Sequence, residues 1–181
     1  MTATYFDKLR AASIARQSLL CIGLDPDPGF IRGGLEGAVR FCRTLIETTS
    51  DLACCYKPNA AFWEQYGAHG WEGLATVRQF VPPDIPVLLD CKRADLPNTM
   101  AAYASAAFEA MAFDAATVHA YHGADSLATF TRYTSRGSTW SAIRRIRAAP
   151  ICSTCGAASS RCTWPWPTSR CGRATTATPA W

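Results

Sequence analysis

Up to about residue 135, apolar runs of strand length alternate with segments of helical period, and this alternation limits the fold more than any other feature of the chain. Strand-then-helix repeats build parallel sheets, because a parallel neighbour is reached only through a connection long enough to cross back over the sheet. Four such units can be counted. A helix near residues 4–16 precedes a buried strand at 18–24, closed by the turn-rich Asp25-Pro26-Asp27-Pro28-Gly29. A helix at 35–48 leads to a strand at 52–57, then to helical segments at 60–66 and 71–80, broken at Gly67 and Gly70 and ended by Pro82-Pro83. The third unit joins a strand at 87–92 to a long helix at 98–113, with Asn98 as its N-cap. The fourth joins a strand at 115–121 to a helix at 124–133. The expected class is therefore α/β, either an open parallel sheet or a (β/α) barrel.

Polar and charged residues collect where these strands end: Asp25, Lys57, Asp90 with Lys92, then His119 and His122. In parallel α/β folds the reacting groups sit at that end. The stretch Asp90-Cys91-Lys92-Arg93-Ala94-Asp95-Leu96-Pro97-Asn98-Thr99 is the most informative. Asp90 and Lys92 are two apart on a strand, so both side chains leave one face and can meet each other or a common ligand. Asp95 follows in the loop. A surface salt-bridge cluster is the bland alternative, and it loses ground because the upstream strands also end in charge. His119 and His122 are read as structural or solvated. Trp63, Tyr66 and Trp71 fall on helix-like segments and are read as packing residues.

Asp-x-Lys-x-x-Asp followed by Thr at this spacing resembles the signature of the orotidine 5′-phosphate decarboxylase family. The flanking text is also similar: Gly23-Leu24-Asp25 on strand one, Tyr56-Lys57-Pro58-Asn59-Ala60-Ala61-Phe62 on strand two, and residues 118–127 on strand four. The resemblance covers about residues 5–134 and is nearest to the longer-chain bacterial branch. It departs mildly at Ala94 and Leu96. It implies a (β/α)8 TIM-barrel fold, here an incomplete barrel of about four βα units followed by an irregular tail. It also implies that Asp25 holds the ribose hydroxyls, with Asn59 beside it on the substrate. Lys57 and Asp90 would belong to an alternating Lys-Asp-Lys-Asp network, and Lys92 would deliver the proton. Asp95 and Thr99 would reach into a neighbouring subunit's site, making the enzyme a homodimer that acts on a small nucleotide with no metal or organic cofactor.

The net charge of +4 raises the question of a nucleic-acid partner, and its distribution answers it. Residues 1–135 hold 11 Lys and Arg against all 14 acids, whereas residues 136–181 hold seven Arg and no acid. The basic character belongs to the tail alone, so nucleic acid is not expected as the partner of the body. Cys21, Cys42, Cys54, Cys55 and Cys91 lie in apolar runs, where a reduced thiol is a small buried hydrophobe. Cys152, Cys155, Cys162 and Cys171 contain one C-x-x-C without the second pair that a zinc site needs. The apolar stretch at 19–24 is too short to span a bilayer or form a signal core, so a cytoplasmic protein is the default.

Composition divides the chain into two domains, 1–135 and 136–181: the resemblance implies that the first is a decarboxylase-like partial barrel, and the second is an irregular Arg/Pro/Trp/Cys tail. The tail contains no Leu, Val, Phe, Tyr, Asp, Glu, Lys, Asn or Gln, and beyond residues 140–147 it shows no helical or strand period. Out-of-frame translation of a GC-rich gene accounts for such an alphabet. Skipping two bases into the Cys162 codon turns the text through Pro167 and Thr168 into Tyr or His, then Leu, Met or Val, then Ala, then the same pair again. Two further readings stand beside the decarboxylase. One is a sugar-phosphate lyase or decarboxylase of the same superfamily, against which Tyr56-Lys57-Pro58-Asn59 and Asn98-Thr99 argue. The other is a non-catalytic fragment whose basic tail binds nucleic acid.

Overall fold

The computed structural model describes residues 3–140. The arginine-rich segment beyond them, with its C-x-x-C at Cys152 and Cys155, lies outside the described residues. The expected alternation is present: α1 (Tyr5–Arg16), β1 (Leu20–Gly23), α2 (Gly34–Thr49), β2 (Ala53–Lys57), α3 (Ala61–Glu64), α4 (Ala68–Phe80), β3 (Leu88–Arg93), α5 (Pro97–Ser105), β4 (Ala115–Val118), α6 (Ala124–Thr131) and β5 (Gly137–Trp140). A π-turn over Ala106–Ala110 extends α5, and a 3-10 turn over Ala120–His122 follows β4. All strand pairs are parallel: β1 with β2, β3 with β4, and β4 with β5. The bridges Tyr56↔Val87 and Asn59↔Asp90 join β2 to β3, so the strands run side by side in chain order. This is an incomplete (β/α) barrel.

The larger core lies between the strands and the helices behind them, with Trp63, Tyr56, Phe113, Phe130, Ile46 and Met100 fully buried in it. A smaller cluster of Tyr5, Ala12, Cys54, Cys55, Leu88 and Ala115 lies where α1 packs on the strands. Thr4 and Asp7 form a reciprocal capping box that starts α1, which explains why that helix begins so sharply. Lys8 and Arg78 both pair with Asp114, at 3.0 and 3.2 Å, and Asp114 also accepts the Val87 N–H at 2.9 Å. These bonds tie α1 and α4 to the end of the strands opposite the polar cluster.

Four expectations are corrected. The first strand is not buried: Leu20 and Cys21 on β1 are exposed. Gly70 does not break a helix; it lies inside α4, where a Cβ would come within 1.8 Å of the Trp63 carbonyl oxygen. The glycine is there for close approach rather than for a turn. Asn98 is not the cap of α5: Leu96 holds the extended cap position and Pro97 opens the helix, since proline has no N–H to lose there. A fifth strand, Gly137–Trp140, follows the composition break at which irregular chain was expected. Its backbone pairs with β4 in register from Ala115↔Gly137 to Val118↔Trp140, and such a ladder needs backbone groups rather than a particular alphabet.

Candidate active site

β1, β2, β3 and β4 all point their C-terminal ends to one rim. Asp25 follows β1, and its Oδ1 accepts the Asn59 N–H at 3.0 Å. Lys57 is the last residue of β2, and the Leu24 N–H donates to its carbonyl at 3.2 Å. Asp90 lies on β3, buried to 8% exposure, and its backbone is locked to the chain after β2 on both sides. Its N–H donates to the Pro58 carbonyl at 2.9 Å, and its carbonyl accepts from the Ala60 N–H at 3.1 Å.

The side chains converge on Asp90. Lys57 Nζ donates to Oδ2 at 3.0 Å, and Lys92 Nζ donates to Oδ1 at 2.6 Å. The Thr117 hydroxyl on β4 donates to Oδ1 at 2.9 Å. Burial pushes the Asp90 carboxyl upward, but the donors Lys92, Lys57 and Thr117 outweigh it and hold the group below the ordinary carboxylate value. The carboxylate thus stays charged between two ammonium groups. Lys92 is the more open of the two, with 54% of its side chain exposed against 31% for Lys57, so it is the one free to meet a ligand at the rim.

The strand that carries these groups is irregular. Leu89 pairs with Ala116 and Arg93 with Val118, so three residues of β3 stand opposite Thr117 alone. Lys92 takes φ +47°, a left-handed conformation that L side chains rarely adopt. Such bulges re-aim a side chain at the edge of a site, and this one directs Lys92 back onto Asp90.

Of the residues singled out from sequence, Asp25, Lys57, Asn59, Asp90 and Lys92 share this rim. Asn59 engages through its backbone, while its side-chain oxygen accepts the Ala61 N–H at 3.1 Å at the start of α3. Asp95 Oδ1 accepts the Leu96 N–H at 2.7 Å, and Thr99 lies on the first turn of α5, partly exposed. His119 accepts the Tyr121 N–H through Nδ1 at 3.2 Å, so its ring serves the turn after β4. Trp63 is fully buried. Among the described residues, no group of three or more His, Cys, Asp or Glu is placed to hold a metal ion. No described helix is long and apolar enough to cross a membrane. Thr117 is the participant that sequence reasoning missed. Its signal is a single hydroxyl in an otherwise apolar, wholly buried strand, where a polar atom has to find partners.

Comparison with known proteins agrees with this geometry. Residues 18–146 match the family described as orotidine 5′-phosphate decarboxylase / HUMPS. The orotidine 5′-phosphate decarboxylase of Thermomicrobium roseum is 50% identical over 138 residues, covering 74% of this chain and 49% of that protein. That of Herpetosiphon aurantiacus is 48% identical over 130 residues, covering 70% and 49%. Among solved structures, the UMP synthase of Leishmania donovani superposes with a TM-score of 0.71 at 44% identity, over 77% of this chain and 30% of that one. The OMP decarboxylase of the same organism gives 0.70 at 41% identity, over 76% and 52%. The chain spans about half the length of the curated relatives it matches. A Lys-Asp-Lys cluster at the rim of a parallel sheet, together with these matches, leads to one conclusion: the chain belongs to the orotidine 5′-phosphate decarboxylase / HUMPS family.

Proposed function

We propose that this site is built for decarboxylation of orotidine 5′-phosphate to uridine 5′-phosphate, the carboxy-lyase step of pyrimidine synthesis. The observation that carries the reading is Asp90 held between Lys57 and Lys92, with Lys92 Nζ open at the rim. When C6 of the pyrimidine loses carbon dioxide, the electron pair of the broken bond stays on that carbon. The fixed Lys92 ammonium stabilises the charge as it develops. Lys92 then gives its proton to C6, forming the C–H bond, and is left as an amine that solvent reprotonates. Asp90 is the counter-charge that holds that ammonium in place, and Lys57 anchors the other oxygen of the same carboxylate. No step calls for a metal or an organic cofactor.

Asp25, with Asn59 behind it, is the group to hold the ribose hydroxyls. Among the described residues the Asp95 side chain bonds only to the Leu96 N–H, and Thr99 lies on the first turn of α5; both are proposed to serve a second subunit's site in a homodimer, with a cytoplasmic location proposed alongside. Residues 1–181 taken alone are proposed to turn over substrate poorly. In barrels of this kind the phosphate is usually held by loops after the seventh and eighth strands, and the described residues carry five.

A chimera separates the site from the rest of the barrel. Residues 1–140 replace the matching half of the Thermomicrobium roseum relative, and uridine 5′-phosphate formation is followed. The chimera is expected to be active, and Lys92→Ala is expected to cut the rate by about a thousandfold. A folded chimera that leaves orotidine 5′-phosphate intact while Lys92 is present overturns the proposal.

A further inference from the structure

A bulge that sets three residues of β3 opposite one residue of β4 breaks the ladder between them, and the backbone groups it frees need other partners. Thr117 supplies the acceptor. The Cys91 and Lys92 N–H groups both donate to its Oγ1, at 3.0 and 2.9 Å. A hydroxyl has two lone pairs and one proton. With both lone pairs engaged by β3, the proton is left to point at Asp90 Oδ1, 2.9 Å away. The same oxygen accepts Lys92 Nζ at 2.6 Å. One buried hydroxyl therefore holds the backbone of Lys92 from one side and the carboxylate that receives its ammonium from the other.

We propose that Thr117 is a positioning residue for Lys92: its hydroxyl fixes the β3 bulge and the Asp90 carboxylate in a single register, so that the ammonium is presented at the rim. The inference rests on reading Lys57, Asp90 and Lys92 as the reacting cluster. It does not depend on which substrate that cluster serves. The left-handed backbone of Lys92 is strained for a residue with a Cβ and persists where its surroundings enforce it. The two N–H donors to Thr117 are that enforcement. Deleting the hydroxyl while keeping the shape of the side chain removes three bonds at once and frees Lys92 to relax into an ordinary strand conformation.

The test uses the 181-residue chain, kept at a dilution where light scattering shows it monodisperse, and hydrogen exchange read by NMR, with the Asp90 carboxyl titrated by its carbon shift. In the unaltered chain, the Cys91 and Lys92 amides are expected to exchange at least about tenfold more slowly than that of Ala94 in the following loop. Thr117→Val is expected to abolish that difference and to raise the Asp90 pKa, because one donor to the charged form is gone. Thr117→Ser, which keeps the hydroxyl, is expected to restore both. Thr129→Val serves as the control. Thr129 is also buried, and its hydroxyl donates to the Ser126 carbonyl at 2.7 Å within α6, so losing it should move neither readout.

Free exchange of Cys91 and Lys92 in the unaltered chain overturns the proposal, as does a Thr117→Ser chain that behaves like Thr117→Val. If Thr117→Val does not fold, the other two chains still decide: Cys91 and Lys92 amides of Thr117→Ser that exchange as fast as that of Ala94 overturn the proposal. None of them needs turnover, so a failure of the decarboxylase reading leaves this result standing. Conversely, an active chimera whose kcat is untouched by Thr117→Val would sink the positioning role and spare the reaction.

Discussion

Asp90 is the residue on which the site's stability and its chemistry coincide. Its folded pKa is depressed, so its contribution to stability is complete above the ordinary value of 3.8 and is lost as pH falls through the lower folded value. Urea unfolding followed from pH 5 downward should therefore show stability dropping below about pH 4, with Asp90 among the causes. Asp90→Asn should lose about 2 kcal/mol at neutral pH, because two ammonium groups then face each other without a counter-charge. Its curve should also be flatter in acid, and identical acid slopes for the two chains would contradict this role for Asp90. Asp25, Lys57, Asp90 and Lys92 could be picked out from sequence, since a charge at the end of an apolar strand is costly to keep half-buried unless a partner or a ligand meets it. Thr117 could not be assigned a role that way, because the register that sets it opposite Asp90 is a property of two strands and not of either alone.

At the scale of elements, α1 and β5 depend on each other although they lie at opposite ends of the described chain. The Tyr5 N–H donates to the Ser135 carbonyl at 2.9 Å, and the Gly137 N–H donates to that of Asp114 at 2.9 Å. Gly137 has no room for a side chain: a Cβ there would lie 2.4 Å from Tyr5 Cδ1 and 2.9 Å from Ala115 Cβ. Gly137→Ala is therefore expected to destabilise the chain by about 1–3 kcal/mol and to speed exchange of the α1 amides ahead of those in α2. A mutant with an unchanged melting temperature would show that β5 does not bear on α1. The strand itself was hidden from sequence reading because Gly-Ser-Thr-Trp carries no alternating pattern and follows a sharp change of alphabet. Its pairing comes from β4, through the backbone.

Over the whole molecule, behaviour turns on the two edges of the sheet. Among the described residues no strand pairs with the outer edge of β1 or of β5, and Leu19 and Leu20 are exposed beside the first of these. Unpaired edges with apolar neighbours invite association. The purified 181-residue chain is expected to self-associate in light scattering and to form uridine 5′-phosphate slowly or not at all. A monodisperse protein working at an ordinary enzymatic rate would refute this. For residues 136–181 we propose a shifted reading frame. The nucleotide sequence around the codons for Tyr133 to Arg136 tests it, and an intact frame through that point would remove it. The family match runs on to residue 146, past the strand at 137–140, and so weighs toward a shift later than residue 136.

Local order in the chain was legible without coordinates wherever one residue's neighbours decide its state. Apolar runs of strand length, helical periods and charges at strand ends are all short-range patterns, and they sufficed for the α/β class and for most of the reacting cluster. The bulge in β3, the left-handed Lys92, the hub at Asp90 and the fifth strand arise from contacts between segments far apart in the chain. Their energies are set by register and close approach across the sheet, and no window of sequence contains both partners.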